Sequence, residues 1–82
     1  MELYDEVVGI IINKVADIKH LDVSELNEDS NLQEEINVRS GEMVAVISAL
    51  EDEYDVYIDI MKLRKCPLVK DVANFVVGLI EG

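Results

Sequence analysis

The sequence predicts an all-α fold, a small four-helix bundle made of three main helices plus one short helix, with a long first loop. Apolar residues recur at intervals of three and four along three segments, which is the spacing of one helix face. No two strand-like segments are present that could pair into a sheet. Half of the 82 residues are apolar, so a single domain over residues 1–82 can enclose a modest core.

The first and last predicted helices each have one continuous apolar side. The first runs from Glu2 to about His20. Its apolar stripe comprises Tyr4, Val7, Val8, Ile11, Val15 and Ile18. The last begins near Pro67–Val69 and runs to Leu79 or Ile80, and proline suits its first turn because the missing N–H has no helical partner there. Its apolar face comprises Leu68, Val69, Val72, Phe75, Val76, Leu79 and Ile80.

The connection between the first two helices, residues 21–39, is long for a small domain. The spacing of its apolar residues, among them Leu32 and Ile36, predicts that it is pinned to the core. Ser30 followed three residues later by Gln33 fits a capping box. The acidic residues of this loop lack the alternation and central glycine of a calcium-binding EF-hand loop, so we predict no metal site here.

The second predicted helix runs from about Ser40 to Tyr54. Ser40 is placed to be its N-cap, because a short hydroxyl can accept a hydrogen bond from an amide that lacks a helical partner. Glu42 puts a negative charge in the first turn, where the helix dipole favours it. Carboxylates crowd the other end at Glu51-Asp52-Glu53, where the dipole disfavours them. Stability therefore does not explain the placement of these acidic residues.

The segment Asp55–Asp59 alternates like a strand but has no partner, so we predict an extended connector that tucks apolar side chains inward. Residues Ile60 to Lys65 form a predicted short third helix. Cys66-Pro67 ends it, because a residue before proline avoids helical backbone angles. A single cysteine excludes an internal disulfide and is typical of a reducing compartment.

The net charge of −11 is unevenly distributed: residues 1–60 carry −13 and residues 61–82 carry +2. A field of this sign repels nucleic acid and anionic lipid, and it steers basic protein surfaces toward the chain. Plain solubility is the alternative explanation. No apolar run reaches the roughly 18–20 residues of a membrane helix, and no signal-peptide pattern is present. We therefore expect a cytoplasmic monomer with no nucleic-acid partner and no membrane insertion.

The order of these elements resembles that of the acyl carrier protein family. Leu32 matches a hydrophobic residue of the family's first loop, and Glu34-Glu35-Ile36 match its acid-acid-Leu. Ala49–Tyr54 matches its Ala-Leu-Glu-acid-Glu-Phe run. Val69–Val76 is similar to the start of its last helix. The similarity extends over nearly the whole chain and implies the family's four-helix fold.

Ser40 matches the serine that carries 4′-phosphopantetheine in this family. The resemblance implies a protein that holds acyl intermediates as thioesters on this covalent arm and is not itself an enzyme. The implied partners are a phosphopantetheinyl transferase and acyl-transferring or condensing enzymes of lipid or polyketide-type synthesis, with basic patches. Two alternatives remain open. One is an aminoacyl or peptidyl carrier, and the other is an unmodified acidic helical interaction module with the carrier fold.

Three residues beside this serine depart from the family pattern. Arg39 stands where the family has Asp, Gly41 where it has Leu, and Asn37 where it has Gly. The reversed charge of Arg39 makes it a candidate contact for the phosphate of the arm, through a charge-assisted hydrogen bond. The same departures keep the unmodified alternative open.

The candidate partner-binding residues all lie on the predicted helix 40–54. They are Glu42, Val44, Glu51, Asp52 and Glu53. The acidic members suit basic patches, and Val44 offers an apolar contact. The candidate shelter for an acyl chain is the bundle interior. It is lined by Ile11, Val15, Val46, Ile47, Leu50, Phe75 and Val76. No nucleophile with a base and no metal-ligating set can be assembled, so we predict no catalytic residue.

Overall fold

The computed structural model describes residues 2–82, and within them four α-helices and one 3₁₀ turn. The elements are α1 (Leu3–Lys19), the 3₁₀ turn (Val23–Glu25), α2 (Ser40–Tyr54), α3 (Ile60–Leu63) and α4 (Val69–Glu81). Over residues 2–82 there is no β-strand, only an isolated bridge between Asn31 and Leu68. The predicted all-α bundle, with three main helices, one short helix and a long first loop, is confirmed.

Helix α1 packs against both α2 and α4, and the core lies between these three helices. The side chains in it are apolar and buried because each helix turns one face inward. They are Val7, Ile11, Val15 and Ala16 of α1, Val46, Ile47 and Leu50 of α2, and Val69, Val72, Ala73 and Val76 of α4. Leu26 and Leu32 of the first loop, Ile58 of the connector and Leu63 of α3 close its edges.

The long first loop is pinned to the core, as its apolar residues predicted. The side chain of Leu32 is only 1% exposed. The backbone N–H of Leu32 donates to the carbonyl of Pro67 at 2.7 Å, and the N–H of Val69 donates to the carbonyl of Ser30 at 3.1 Å. The loop therefore pairs some of its backbone N–H and C=O groups with the residues at the start of α4. No local sequence pattern indicates this pairing.

The predicted capping box at Ser30 is wrong. Ser30 Oγ instead accepts a hydrogen bond from the N–H of Asn27 at 2.9 Å. The following turn is capped by Asn31, whose Oδ1 accepts from the N–H groups of Gln33 at 3.0 Å and Glu34 at 2.8 Å. Serine and asparagine are both good caps, but the hydroxyl of the buried Ser30 is bonded to the preceding turn.

The third helix is shorter than predicted: it ends at Leu63 and not at Lys65. Pro67 does not occupy the first turn of α4 as expected. Leu68 is the N-cap of that helix, with an extended backbone (φ −94°, ψ 151°), so Pro67 lies outside it. The connector before α3 is extended as predicted, and it buries Ile58 to 3% exposure.

Two tyrosine hydroxyls tie α1 to its neighbours. Tyr54 Oη donates to Glu6 Oε1 at 2.7 Å, and burial together with this bond raises the pKa of Tyr54 to about 12. Tyr4 Oη donates to Glu28 Oε1 at 2.6 Å, and that bond raises the pKa of Tyr4 to about 12. Both tyrosines therefore remain neutral donors well above neutral pH.

These contacts predict a loss of stability in alkali. A tyrosine in an unfolded chain ionises at about pH 10. Since the folded-state pKa values are higher, both bonds stabilise the fold fully below about pH 10, and this contribution disappears as the pH rises toward about 12. We expect the free energy of unfolding in urea to fall over that range, and to fall less in a Tyr4→Phe/Tyr54→Phe variant. Equal losses in the two proteins would contradict this assignment.

Candidate functional site

Ser40 is the first residue of α2, and its side chain is exposed. It is not the N-cap, so that prediction is wrong. Arg39 takes the cap position, with an extended backbone (φ −86°, ψ 166°). The N–H of Met43 donates to the carbonyl of Arg39 at 2.8 Å, so the helical bonding of α2 starts one residue before Ser40. The helix does not use the Ser40 hydroxyl as its cap.

An arginine side chain has no hydrogen-bond acceptor, so this cap depends on two other residues. Glu42 Oε1 accepts from the N–H of Arg39 at 2.9 Å and from Lys19 Nζ at 2.9 Å. Lys19 Nζ also donates to the carbonyl of Asn37 at 3.1 Å. A lysine of α1 thus braces the loop that leads to Ser40. The bracing joins residues far apart in the chain, which explains why sequence patterns placed the cap on the serine.

The pKa of Glu42 lies below its ordinary value. The bond from the backbone N–H of Arg39 is the main cause, and the bond from Lys19 is the second. Glu42 is therefore ionised at neutral pH, with its charge balanced by Lys19. The acidic residue closest in sequence to Ser40 is thus already paired.

The N-terminal end of α2 suits an anionic group bonded to Ser40 Oγ. The amides of Ser40, Gly41 and Glu42 precede the first intrahelical donor, so they have no partner within the helix. Unpaired amides and the helix dipole together favour negative charge at this end. The exposed Arg39 adds a positive charge next to Ser40. A phosphodiester on this oxygen would be favoured both by the free amides of the first turn and by the positive charge of Arg39.

Asn37 adopts a special backbone conformation, whereas Gly41 is distinguished by the open space around it. The backbone of Asn37 has a positive φ of 57°, a conformation that glycine adopts freely and asparagine tolerates. Asn37 therefore preserves the backbone shape that the family's glycine provides. A Cβ built on Gly41 meets nothing within 4 Å, so packing does not require a glycine at this position. Gly41 leaves the surroundings of Ser40 open.

The conformation of Asn37 gives a direct test of how the loop is shaped. We expect Asn37→Val to destabilise the protein by about 1–2 kcal/mol, because a β-branched side chain is strained at positive φ. Asn37→Gly, the matched control, should leave the urea midpoint nearly unchanged, since glycine has no Cβ to clash. If both variants unfold at the wild-type midpoint, the positive φ is wrong.

An open pocket of about 260 Å³ lies beside Ser40, between the first loop, α2 and α3. It is lined by Gln33, Val38, Arg39, Ser40, Met43, Ile60, Leu63 and Arg64. Gln33 Nε2 donates to the carbonyl of Arg64 at 3.0 Å, which ties the loop to the end of α3. Sequence reasoning identified Arg39 and Ser40 but missed the α3 residues, because no local pattern places α3 beside the serine.

The apolar interior that we expected to shelter an acyl chain is closed in this structure. Six of its seven predicted members are buried to 6% exposure or less, and Phe75 is half-buried. The six are Ile11, Val15, Val46, Ile47, Leu50 and Val76. The space that is open beside Ser40 is the pocket toward α3, whose apolar lining is a different set of residues.

Residues spaced four apart along α2, beginning at Ser40, are exposed. Val44 is 51% exposed, and Ser48 and Asp52 follow at successive turns, both exposed. Glu53 is exposed next to Asp52. Of the predicted partner-binding residues, Val44 lies one turn after Ser40, and Asp52 lies three turns along, toward the other end of the helix. Ser48 was missed, because a small polar residue in a helix gives no distinguishing signal.

The other two predicted partner-binding residues have roles inside the fold. Glu42 is half-buried and paired with Lys19. Glu51 is half-buried as well, and its Oε2 accepts from the N–H of Ile58 at 2.8 Å. Glu51 thus fixes the connector that follows α2. Their carboxylates are less free to meet a partner than those of Asp52 and Glu53.

Two further findings for residues 2–82 concern membrane crossing and metal binding. No helix in this range is long and apolar enough to cross a membrane, and no group of three or more potential metal-ligating side chains comes together in it. Burial raises the pKa of the Cys66 thiol, with a smaller contribution from Asp71. The thiol is therefore neutral at pH 7, which is the less nucleophilic form.

Among the known proteins that are similar to this chain, three acyl carrier proteins match along most of their length. An acyl carrier protein of Chlamydia felis is 32% identical over 76 residues, covering 93% of this chain and 92% of that protein. Acyl carrier proteins of Chlamydia caviae and Helicobacter hepaticus are 29% and 24% identical, each covering 93% of this chain and at least 94% of their own. No family model matches the chain. The identity and coverage of the first relative, together with the four-helix fold, show that this chain belongs to the acyl carrier protein family.

Proposed function

We propose that this protein carries acyl units as thioesters on a 4′-phosphopantetheine arm attached to Ser40 Oγ. The observation that carries the proposal is the position of Ser40. It is exposed on the first turn of α2, and its hydroxyl does not cap that helix. A serine used as a cap has its oxygen already bonded to a backbone N–H. Ser40 Oγ has no such cap bond, because Arg39 and Glu42 form the cap.

Attachment of the arm forms one bond and breaks another. Ser40 Oγ bonds to the phosphorus of the phosphopantetheine group of coenzyme A, and adenosine 3′,5′-bisphosphate leaves. The hydroxyl proton passes to a base of the transferase. The chain's own contribution is to bind the resulting phosphodiester, through the free amides of the first turn and the guanidinium of Arg39. Lys19 limits repulsion by pairing with Glu42.

The bound arm supplies a terminal thiol that holds the acyl group as a thioester. We propose that partner enzymes with basic patches dock on exposed residues of α2, with Val44 one turn from Ser40 and Asp52 toward the far end of the helix. Attachment to one serine keeps the acyl group at a high local concentration while the carrier is docked. A monomeric, cytoplasmic single-domain carrier for lipid or polyketide-type synthesis fits these features.

The proposal is tested by intact-mass analysis after incubation with coenzyme A and a broad-specificity phosphopantetheinyl transferase. We expect a gain of one phosphopantetheine unit in the wild type, no gain in Ser40→Ala, and the full gain in Ser48→Ala. Ser48 is the matched control because it is an exposed serine of the same helix. An unmodified wild type would overturn the proposal and favour the unmodified interaction module. A modified Ser40→Ala variant would overturn the assignment to Ser40.

A further inference from the structure

The ammonium group of Lys19 joins the end of α1 to the backbone on both sides of Ser40. Its Nζ donates to the carbonyl of Asn37 at 3.1 Å, before the serine, and to Glu42 Oε1 at 2.9 Å, after it. Glu42 Oε1 in turn accepts from the N–H of Arg39 at 2.9 Å. The segment that carries Ser40 is therefore bonded, directly or through one carboxylate, to a residue of another helix.

The pairing of Lys19 with Glu42 is better shielded from water than the other ion pair found in residues 2–82. The side chains of Lys19 and Glu42 are 21% and 29% exposed, whereas those of Lys70 and Asp29 are 42% and 71% exposed. Partly buried charges are screened less by salt than exposed ones, and hydrogen bonds between charged groups are the stronger kind. The contact of Lys19 with the start of α2 is thus able to hold that segment in place.

The first turn of α2 is a place where a helix opens easily. Helix ends fray, and Gly41 in this turn adds to the tendency, because glycine gains more backbone freedom on unfolding than other residues do. The helical conformation of the turn also sets the directions of the free amides of Ser40 and Gly41. An open turn would scatter these amides and move the hydroxyl of Ser40. The bonds from Lys19 oppose this opening.

Resting on the proposed function, we propose that Lys19 is a positioning residue for the attachment of the arm. It acts through Asn37 and Glu42, and it keeps Ser40 Oγ and the free amides of the first turn in the arrangement on which the transferase acts. Without Lys19, a larger share of the molecules has an open first turn. The apparent affinity of the transferase falls in proportion to the share that is lost, so the effect is a higher KM with little change in kcat.

A simple effect of charge would have the opposite sign. Removal of any lysine makes the chain more acidic, and a more acidic carrier associates faster with a basic enzyme. We nevertheless expect Lys19→Met to raise KM for loading about three- to tenfold, a loss typical of a partly exposed hydrogen bond between charged groups. Lys19→Arg keeps the cation and its donors and should recover most of this loss.

Lys14→Met is the matched control. Lys14 is a half-buried lysine of the same helix, and it belongs to neither of the ion pairs found in residues 2–82. The variant makes the same change in net charge, so its KM should equal that of the wild type or lie below it. All four proteins are loaded with coenzyme A by a broad-specificity phosphopantetheinyl transferase, at a temperature where circular dichroism shows each to be folded. If Lys19→Met does not fold, Lys19→Gln, which retains a polar head group, takes its place.

Amide hydrogen exchange separates local opening from a general loss of stability. The N–H groups of Arg39 and Met43 are both bonded within the first turn. Their exchange should accelerate in Lys19→Met and not in Lys14→Met, whereas exchange at the buried Val76 of α4 should change much less.

The outcomes distinguish this inference from the proposed function. A wild type that accepts no arm would overturn both. A loaded wild type whose KM is matched by that of Lys19→Met would overturn this inference alone. Equal acceleration of exchange at Met43 and Val76 would do the same, because it would show that Lys19 stabilises the whole fold and does not position the serine.

Discussion

Replacing Leu32 by alanine is expected to destabilise the protein by about 2–5 kcal/mol, the range for a large side chain removed from a packed core. Leu32 is 1% exposed, and it is the residue through which the first loop enters the core. The loss is severe because a domain of this size has a total stability of roughly 4–12 kcal/mol. The free energy of unfolding in urea measures it.

Leu32 also controls the approach to Ser40. Its carbonyl accepts from the N–H of Val38 at 2.7 Å, so the turn that ends beside the serine is bonded to the residue that anchors it. We therefore expect amide hydrogen exchange at Val38 to accelerate in Leu32→Ala more than exchange within α4.

Two controls separate packing from general sensitivity to substitution. Leu32→Met keeps the volume and should cost less than about 1.5 kcal/mol. Val23→Ala alters a side chain that is 49% exposed, and it should change stability by less than about 0.5 kcal/mol. If Leu32→Ala costs no more than Val23→Ala, the loop is not anchored as the structure shows.

The helices were predictable because their signal is repeated along the chain. Helix α2 begins and ends at the predicted residues, Ser40 and Tyr54, since apolar side chains at intervals of three and four mark the buried face over several turns. The same periodicity placed α1 and α4. One atypical residue hardly changes a pattern that is repeated over several turns, so the prediction of the helix remains correct.

The helix caps were not predictable in the same way, because each depends on a single residue and its distant neighbours. Ser40 is a good cap by type, yet Arg39 takes the position. The reason is the carboxylate of Glu42, which bonds the N–H of Arg39 and is itself held by Lys19. Lys19 is the last residue of α1, and the whole first loop separates it from Ser40 in the chain. A pattern read along the chain contains no information about that contact.

The pocket was beyond sequence reasoning for a related reason. Its two arginines come from different elements, which the bond from Gln33 Nε2 to the carbonyl of Arg64 joins across the structure. The resemblance to the family identified the serine and the acidic helix. It gave no indication of Arg64, since this residue is not part of the motif that carries the resemblance.

Reversing the charges of Asp52 and Glu53 is expected to lower the efficiency of loading by a phosphopantetheinyl transferase by roughly 10- to 100-fold at low salt, through slower association. These are the acidic residues of α2 near its C-terminal end that are exposed. Glu51 is left unchanged, because its carboxylate bonds the N–H of Ile58 and its loss would disturb the fold. The measurement is kcat/KM for the loading of Ser40.

A double reversal on other helices, Asp17→Lys/Glu81→Lys, gives the same net charge and is the matched control. Both of its residues are exposed. It should reduce kcat/KM much less than Asp52→Lys/Glu53→Lys does. At about 1 M salt, where the Debye length falls to about 3 Å, the difference should largely vanish. Equal reductions by both double variants would show that net charge alone governs the encounter.

The same variant separates docking from folding, because the two effects have opposite signs. Carboxylates at the C-terminal end of a helix oppose its dipole, whereas lysines there favour it by about 0.3–1 kcal/mol each at low salt. Asp52→Lys/Glu53→Lys should therefore be at least as stable as the wild type while being loaded more slowly. A variant that is slower only because it unfolds would show a lower urea midpoint. Slow loading with an unchanged or higher midpoint would mean that these two carboxylates serve a partner at a cost to the helix that carries them.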